Sequence, residues 1–116
     1  EKQLRKQVMS IQTDSTPLED PKDPTTCNVM KLYRLLATDD QVQQIEALYR
    51  AGGYGYGQAK QALYELILEQ FATPRERYAY FMAHLDELDA ILKEGAAKAH
   101  KVADETLRRV RAKIGY

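Results

Sequence analysis

"YRAGGYGYGQAK", residues 49–60, holds four of the six glycines and three of the eight tyrosines in a chain of 116 residues. It interrupts a sequence otherwise rich in helix formers, and the fold turns on how it is read. It is a plain turn, a phosphate cradle or an aromatic site for a nucleobase. A phosphate loop requires G-x-x-x-x-G-K-[ST], and the dinucleotide fingerprint requires G-x-G-x-x-G between a strand and a helix. Here no strand pattern precedes the glycines, and Lys60 is followed by Gln61. The cradle fails. Gly53, Gly55 and Gly57 then serve to permit positive φ in a tight helix-to-helix turn. Tyr54 and Tyr56, between glycines at a helix N-terminus, are placed to stack on unpaired bases while the helix amides face phosphate.

Outward from this stretch, every periodic segment has the helical period. Before it, "TDDQ" at 38–41 is a capping box in which Thr38 and Gln41 satisfy each other's amides. That box opens a helix running to Ala51, with Val42, Ile45 and Tyr49 inward and Gly52 as the residue that ends it. Upstream, a helix over about 26–37 turns Val29, Leu32, Tyr33 and Leu36 to one face, and Asp23-Pro24 is an alternative start. Residues 1–12 read as the end of a helix, with Leu4, Val8 and Ile11 at helical spacing. Between these two lies "TDSTPLEDPKDPTT", 13–26, with three prolines and five charged side chains. That composition makes a loop, long enough to suggest function.

After the glycines, a helix over about 58–72 carries Ala59, Ala62, Leu63, Leu66, Ile67, Leu68 and Phe71. Apolar around most of its circumference, it is expected to be central. "TPRE" at 73–76 reads as a second capping box with Pro74 at the first helical position. The helix that follows is expected to bury Tyr78, Phe81, Met82 and Leu85. Asp86 then caps a short helix carrying Leu88, Ile91 and Leu92, and Gly95 marks a break or a close approach. Ala96, Ala99, Ala103, Leu107, Val110 and Ile114 form a narrow stripe whose small residues suit close packing against the central helix. The expected fold is all-α, a single-domain helical bundle of about five to seven helices.

The 17 basic and 17 acidic residues cancel, so any nucleic-acid binding must use a local patch. Cys27, the only cysteine, excludes an internal disulfide and suits a reducing, cytoplasmic setting. There is no run of 18 apolar residues and no signal-peptide core, and no membrane partner is expected. His84 and His100 are too far apart to suggest a metal site, and no nucleophilic triad or carboxylate pair stands out, so no catalytic, cofactor or metal residue is assigned. From Lys93 onward seven basic residues face three acidic ones, either a solvated helix face or a track for an RNA backbone. The loop is the inverse case: Asp14, Glu19, Asp20 and Asp23 against Lys22 would repel phosphate. Carboxylates do, however, accept hydrogen bonds from the exocyclic amine of cytosine, so an acidic loop suits a C-rich single strand.

The stretches "VMSIQTDSTPLEDPKDPTTCNVMKLYRLLA" (8–37), "YRAGGYGYGQAKQAL" (49–63) and "LDAILKEGAAKAHKVADETLRRVRAKIGY" (88–116) resemble the C-terminal part of the bacterial tryptophanyl-tRNA synthetases, a class I family. The T-D-S-T-P run at 13–17 and the G-Y-G-x-x-K run at 55–60 fall in that family's order and spacing. The resemblance implies a helical anticodon-binding domain over 1–116, with 1–12 ending the helix after the KMSKS signature. It also implies that Gly115 and Tyr116 match the family's C-terminus, and that the non-methionine start at Glu1 marks a fragment. The parent would activate tryptophan with ATP and magnesium and attach it to tRNA(Trp). The fragment, lacking HIGH and KMSKS, would hold no cofactor and be inactive alone. Expected partners are the tRNA(Trp) anticodon loop, with its CCA anticodon, the catalytic Rossmann domain of the same chain and a second copy in a homodimer. Candidate anticodon contacts are Asp14, Glu19, Asp20, Lys22, Tyr54, Tyr56, Gln58 and Lys60, with Lys60 alternatively a brace for the turn. The rival expectation is a structural or protein-interaction helical domain that touches no RNA.

Overall fold

The computed structural model describes residues 1–115. Six helices appear in order: α1 (Lys2–Met9), α2 (Asn28–Tyr33), α3 (Asp39–Ala51), α4 (Tyr56–Gln70), α5 (Ala72–Ala83) and α6 (Leu85–Ile114). No strand occurs among the described residues, and the fold is all-α as expected. Contacts divide the chain into two units, Glu1–Thr73 and Pro74–Tyr116. Tyr116, part of the family-like ending, lies outside the described residues.

The first unit is built on α4, which packs against both α1 and α2. Ala59, Leu63 and Leu66 recur at helical spacing and are buried, meeting Val8 of α1, Val29, Met30 and Tyr33 of α2, and Ile45 and Tyr49 of α3. Around this centre Leu4, Ile11, Val42, Tyr54, Tyr56 and Ile67 are partly buried. Fully burying a side chain such as Leu63 is worth roughly 1.5–3 kcal/mol, so α4 carries much of this unit's stability.

Local chemistry accounts for the ends of α3. The Thr38 hydroxyl accepts from the Gln41 N–H while the Gln41 side chain accepts from the Thr38 N–H at 2.9 Å, the capping box read from "TDDQ". Gly52 ends α3 at φ +80. There a Cβ would stand 2.5 Å from the Glu19 carbonyl oxygen, so the position requires glycine for both conformation and space. Within the unit, Glu46 joins α2 and α3: it accepts from Arg34 and from Arg50, each at 2.7 Å, and Arg34 also donates to the Pro24 carbonyl at 3.0 Å.

Several boundaries and faces differ from the sequence expectation. α2 begins at Asn28, because the Asp23 carboxylate caps a turn through Thr25 and Thr26 and not the helix. α2 is also short, and its inward face is Val29, Met30 and Tyr33, while Leu32 is 44 % exposed. α1 ends at Met9, leaving Ile11 to reach the core from the loop. α4 begins two residues early, at Tyr56, and stops at Gln70, with Phe71 exposed. α5 already includes Ala72 and Thr73, so Pro74 sits inside its first turn, where a missing N–H is tolerated.

In the second unit, α6 is one helix of 30 residues. Its N-cap is His84, which places Asp86 within the first turn, and Gly95 neither breaks the helix nor meets a neighbour. The side chains of Tyr78, Met82 and Leu85 are exposed, Tyr78 at 68 %, and only Phe81 of that expected set is half-buried. The stripe expected to pack closely is likewise exposed, at Ala96, Ala99 and Ala103 as well as at Leu107, Val110 and Ile114. Helical spacing marks a shared face; it does not say what, if anything, covers it.

Two outcomes are expected for the first unit. Gly52→Ala should cost about 3 kcal/mol in denaturant unfolding, combining left-handed strain with the clash. Gly53→Ala, at φ +74 with open space around its Cβ, should cost only about 1 kcal/mol; equal losses would refute the close-approach account. Hydrogen bonds from Arg34 and then Arg50 hold the Glu46 carboxyl below its usual range. A lowered folded pKa adds stability that is present above the ordinary glutamate value and is lost as pH falls through the folded one. Glu46→Gln should therefore lower Tm at pH 7, with the gap to the parent closing in melts at pH 3.

Candidate nucleic-acid interface

The loop that follows α1 and the turn that precedes α4 meet on one surface of the first unit. Each end of this junction answers a backbone need. The last carbonyls of a helix lack intrahelical donors, and the Lys22 N–H supplies one to Tyr49 of α3 at 2.7 Å. Gly53, just past the helix, donates its N–H to the Leu18 carbonyl at 3.0 Å. The Glu19 carbonyl lies against Gly52, and the Leu18 side chain approaches Gly55.

Lys22 shapes the loop from inside. Only 4 % exposed, it donates from Nζ to the carbonyls of Pro17, Leu18 and Asp20 at 2.8, 3.1 and 3.0 Å. The same ammonium lies 5.6 Å from the Tyr56 ring centroid, in reach of a cation–π attraction. Its three protons are thus used on loop oxygens. Beside it, the Glu19 and Asp20 side chains are exposed, with no hydrogen bond or ion pair to a described residue.

The two tyrosines of the turn are anchored, not free. Both rings pack on buried Tyr49, Tyr54 at 5.8 Å and Tyr56 edge-on at 6.1 Å between centroids. The Tyr56 hydroxyl donates to Asp14 Oδ1 at 2.6 Å, a bond that crosses from turn to loop. Burial first, and then this bond to a carboxylate, pushes the Tyr56 phenol up to about 12. Conversely, the donor from Tyr56, followed by those of Thr16, holds the Asp14 carboxyl below its usual range. Burial, and then its contact with Cys27 Sγ at 3.4 Å, raises the Tyr49 phenol as well.

Gln58 and Lys60 have structural partners. The Gln58 side chain accepts from the Gly55 N–H at 2.8 Å and so caps α4. Lys60 Nζ donates to the Met9 carbonyl at 3.1 Å, a cation at the C-terminus of α1 rather than a brace for its own turn. The structure therefore brings Asp14, Glu19, Asp20, Lys22, Tyr54, Tyr56 and Gln58 into one neighbourhood and turns Lys60 toward α1. Sequence reasoning did not single out Gln12, Thr13, Thr26 and Asn28, which line a polar cleft of about 310 Å³ with Asp14, Tyr56 and Cys27. Apart from Thr13, which opens the T-D-S-T-P run, none carries a motif; the cleft exists only because the loop returns to α2, where Asn28 Nδ2 donates to the Gln12 carbonyl at 3.2 Å.

The Gly53 and Gly55 amides that a phosphate would need are already engaged by Leu18 and Gln58. No three His, Cys, Asp or Glu side chains among the described residues converge as metal ligands. No helix among them is long and apolar enough to cross a membrane.

No protein-family model matches the chain. It is 45 % identical over 114 residues to the tryptophan–tRNA ligase of Rhodopirellula baltica, covering 98 % of this chain and 36 % of that protein. The tryptophan–tRNA ligase of Campylobacter jejuni is 42 % identical over 115 residues, covering 99 % of this chain and 36 % of the relative. A crystal structure of tryptophanyl-tRNA synthetase from Campylobacter jejuni complexed with ADP and tryptophan superposes with a TM-score of 0.92 at 41 % identity, over 99 % of this chain and 36 % of that one. The chain thus spans about a third of the length of the curated relatives it matches. Along nearly the whole of its length, at 41–45 % identity and with the same fold, the chain is a homologue of about a third of the tryptophan–tRNA ligase chain.

Proposed function

We propose that this chain is the C-terminal, anticodon-binding region of a tryptophan–tRNA ligase, a single functional domain that supplies tRNA recognition and no catalysis. The parent enzyme would activate tryptophan with ATP and magnesium on its catalytic Rossmann domain, in the cytoplasm and as a homodimer. This region would present residues 13–26 and 53–58 to the unpaired bases of the tRNA(Trp) anticodon loop. The observation that carries the reading is the direct bonding of those two segments, Tyr56 to Asp14 and Gly53 to Leu18, into one surface. The exposed Glu19 and Asp20 carboxylates supply the chemistry, since carboxylates accept from the cytosine amine. Lys22 is assigned to holding the loop, Gln58 to the turn and Lys60 to α1, with Asp14 and Tyr56 as the polar contacts.

A second reading, a structural or protein-interaction region without RNA contact, draws on the exposed apolar residues of the second unit, among them Tyr78, Leu92, Val102 and Ile114. The rest of the parent chain or a second copy would cover such a face, and the two readings can hold for different parts of one molecule.

Titration of this chain with a tRNA(Trp) anticodon stem-loop and a scrambled control is expected to favour the cognate loop at every salt concentration. Equal affinity for both rejects base-specific recognition by the isolated region. In the full-length ligase, Glu19→Ala with Asp20→Ala is expected to raise the KM for tRNA by about 10- to 100-fold, the size of one or two lost base contacts, without affecting tryptophan activation. Unchanged charging kinetics would support the structural reading instead.

A further inference from the structure

We infer that the cleft between residues 12–14, Asn28 and Tyr56 takes one unpaired nucleobase by its exocyclic amine and disfavours uracil. This rests on the anticodon-binding reading above and goes beyond it to a defined pocket and a selection rule. The cleft, about 310 Å³, is at the small end of the range for ligand pockets, suited to one planar base.

Its selectivity follows from which polar groups are already committed. Asn28 spends one of its two Nδ2 protons on the Gln12 carbonyl and keeps its Oδ1 acceptor. The Tyr56 hydroxyl gives its proton to Asp14 Oδ1, leaving only lone pairs to offer. Thr26 Oγ1 likewise donates to Asp23 at 3.1 Å. Asp14, ionised and receiving Tyr56 and the Thr16 N–H, keeps acceptor capacity, since a carboxylate offers about four lone-pair sites. Tyr56, Thr26 and Asp14 thus have lone pairs to offer on these walls, and Asp14 adds a negative charge, so a ligand that brings N–H donors to them is favoured over one that brings oxygens. Cytosine, adenine and guanine each carry an exocyclic amine; uracil presents carbonyl oxygens where those amines would be, opposite lone pairs. Phosphate is disfavoured for the same reason.

The walls are also held still. Tyr56 is fixed by Tyr49 at its edge, the Lys22 ammonium near its ring and Asp14 at its hydroxyl. It therefore contributes its hydroxyl end to the cleft and is not a free stacking platform. This pre-organisation lowers the ordering cost of binding.

The test uses the full-length ligase and tRNA transcripts in which each anticodon position in turn carries uracil, with kcat/KM for charging as the readout. The parent enzyme is expected to lose about 10- to 100-fold at the position the cleft reads. Asp14→Asn, which keeps an acceptor for Tyr56 and Thr16 but adds an amide donor, is expected to erase most of that loss at that position alone. Asn28→Ala, an independent wall residue, should relax the same position, and it decides the matter if Asp14→Asn fails to fold, as judged by melting and tryptophan activation. Parent-like discrimination at all three positions in the folded variants overturns the cleft while leaving the anticodon reading intact. A parent enzyme indifferent to all three transcripts overturns both.

Discussion

A single buried ammonium organises the surface on which recognition would occur. Lys22 is an unusual choice for the centre of a loop, because burying a charge without compensation is prohibitive. Three backbone carbonyls resolve this, each accepting one of its protons, and hydrogen bonds to a charged group are among the stronger ones a protein makes. The loop oxygens gain as much as the lysine does, since a proline-rich segment has few amide donors of its own. With Lys22 satisfied from within, the neighbouring carboxylates of Glu19 and Asp20 are left to solvent. Remove the ammonium and the carbonyls of Pro17, Leu18 and Asp20 lose their common partner, leaving the main-chain bonds of Lys22 to Tyr49 and of Gly53 to Leu18 to hold the chain past Gly52.

Beneath that loop, Tyr49 connects core to surface. Its ring is buried in the cluster formed by α2, α3 and α4, its carbonyl receives Lys22, its hydroxyl meets Cys27, and its ring supports Tyr54 and Tyr56. Packing and presentation are therefore one problem in this unit. The α4 residues that bury Ala59 and Leu63 also set where Tyr56 emerges, one turn earlier on the same helix.

Where the controlling forces were local, the sequence was legible. The capping box at Thr38, the end of α3 at Gly52, the loop through three prolines and the central role of α4 all follow from spacing and turn chemistry. Where they were tertiary, it was not. Helical spacing groups Leu32 with Val29, Tyr33 and Leu36, yet Met30 is buried and Leu32 is exposed. Gly95 and the alanines after it can serve a close crossing, yet α6 runs straight through with no buried residue. At the candidate site, the acidic loop and the tyrosine turn could be named from sequence, but their meeting could not. Tyr56 to Asp14 spans 42 positions, and the roles of Lys22, Gln58 and Lys60 depend on carbonyls and amides that carry no sequence signature.

α6 has a dynamic consequence. A helix of 30 residues extends about 45 Å, and beyond its first turn, where Tyr80 of α5 donates to Glu87, this one is held by its own ladder and by side-chain pairs one turn apart, such as Glu94 with Lys98. Such pairs contribute only tenths of a kcal/mol each. Its amide protons should therefore exchange with solvent through the brief opening of single turns, whereas those of α4 must wait for the core itself to come apart. The long helix can fray and reseal many times within the lifetime of one intact first unit.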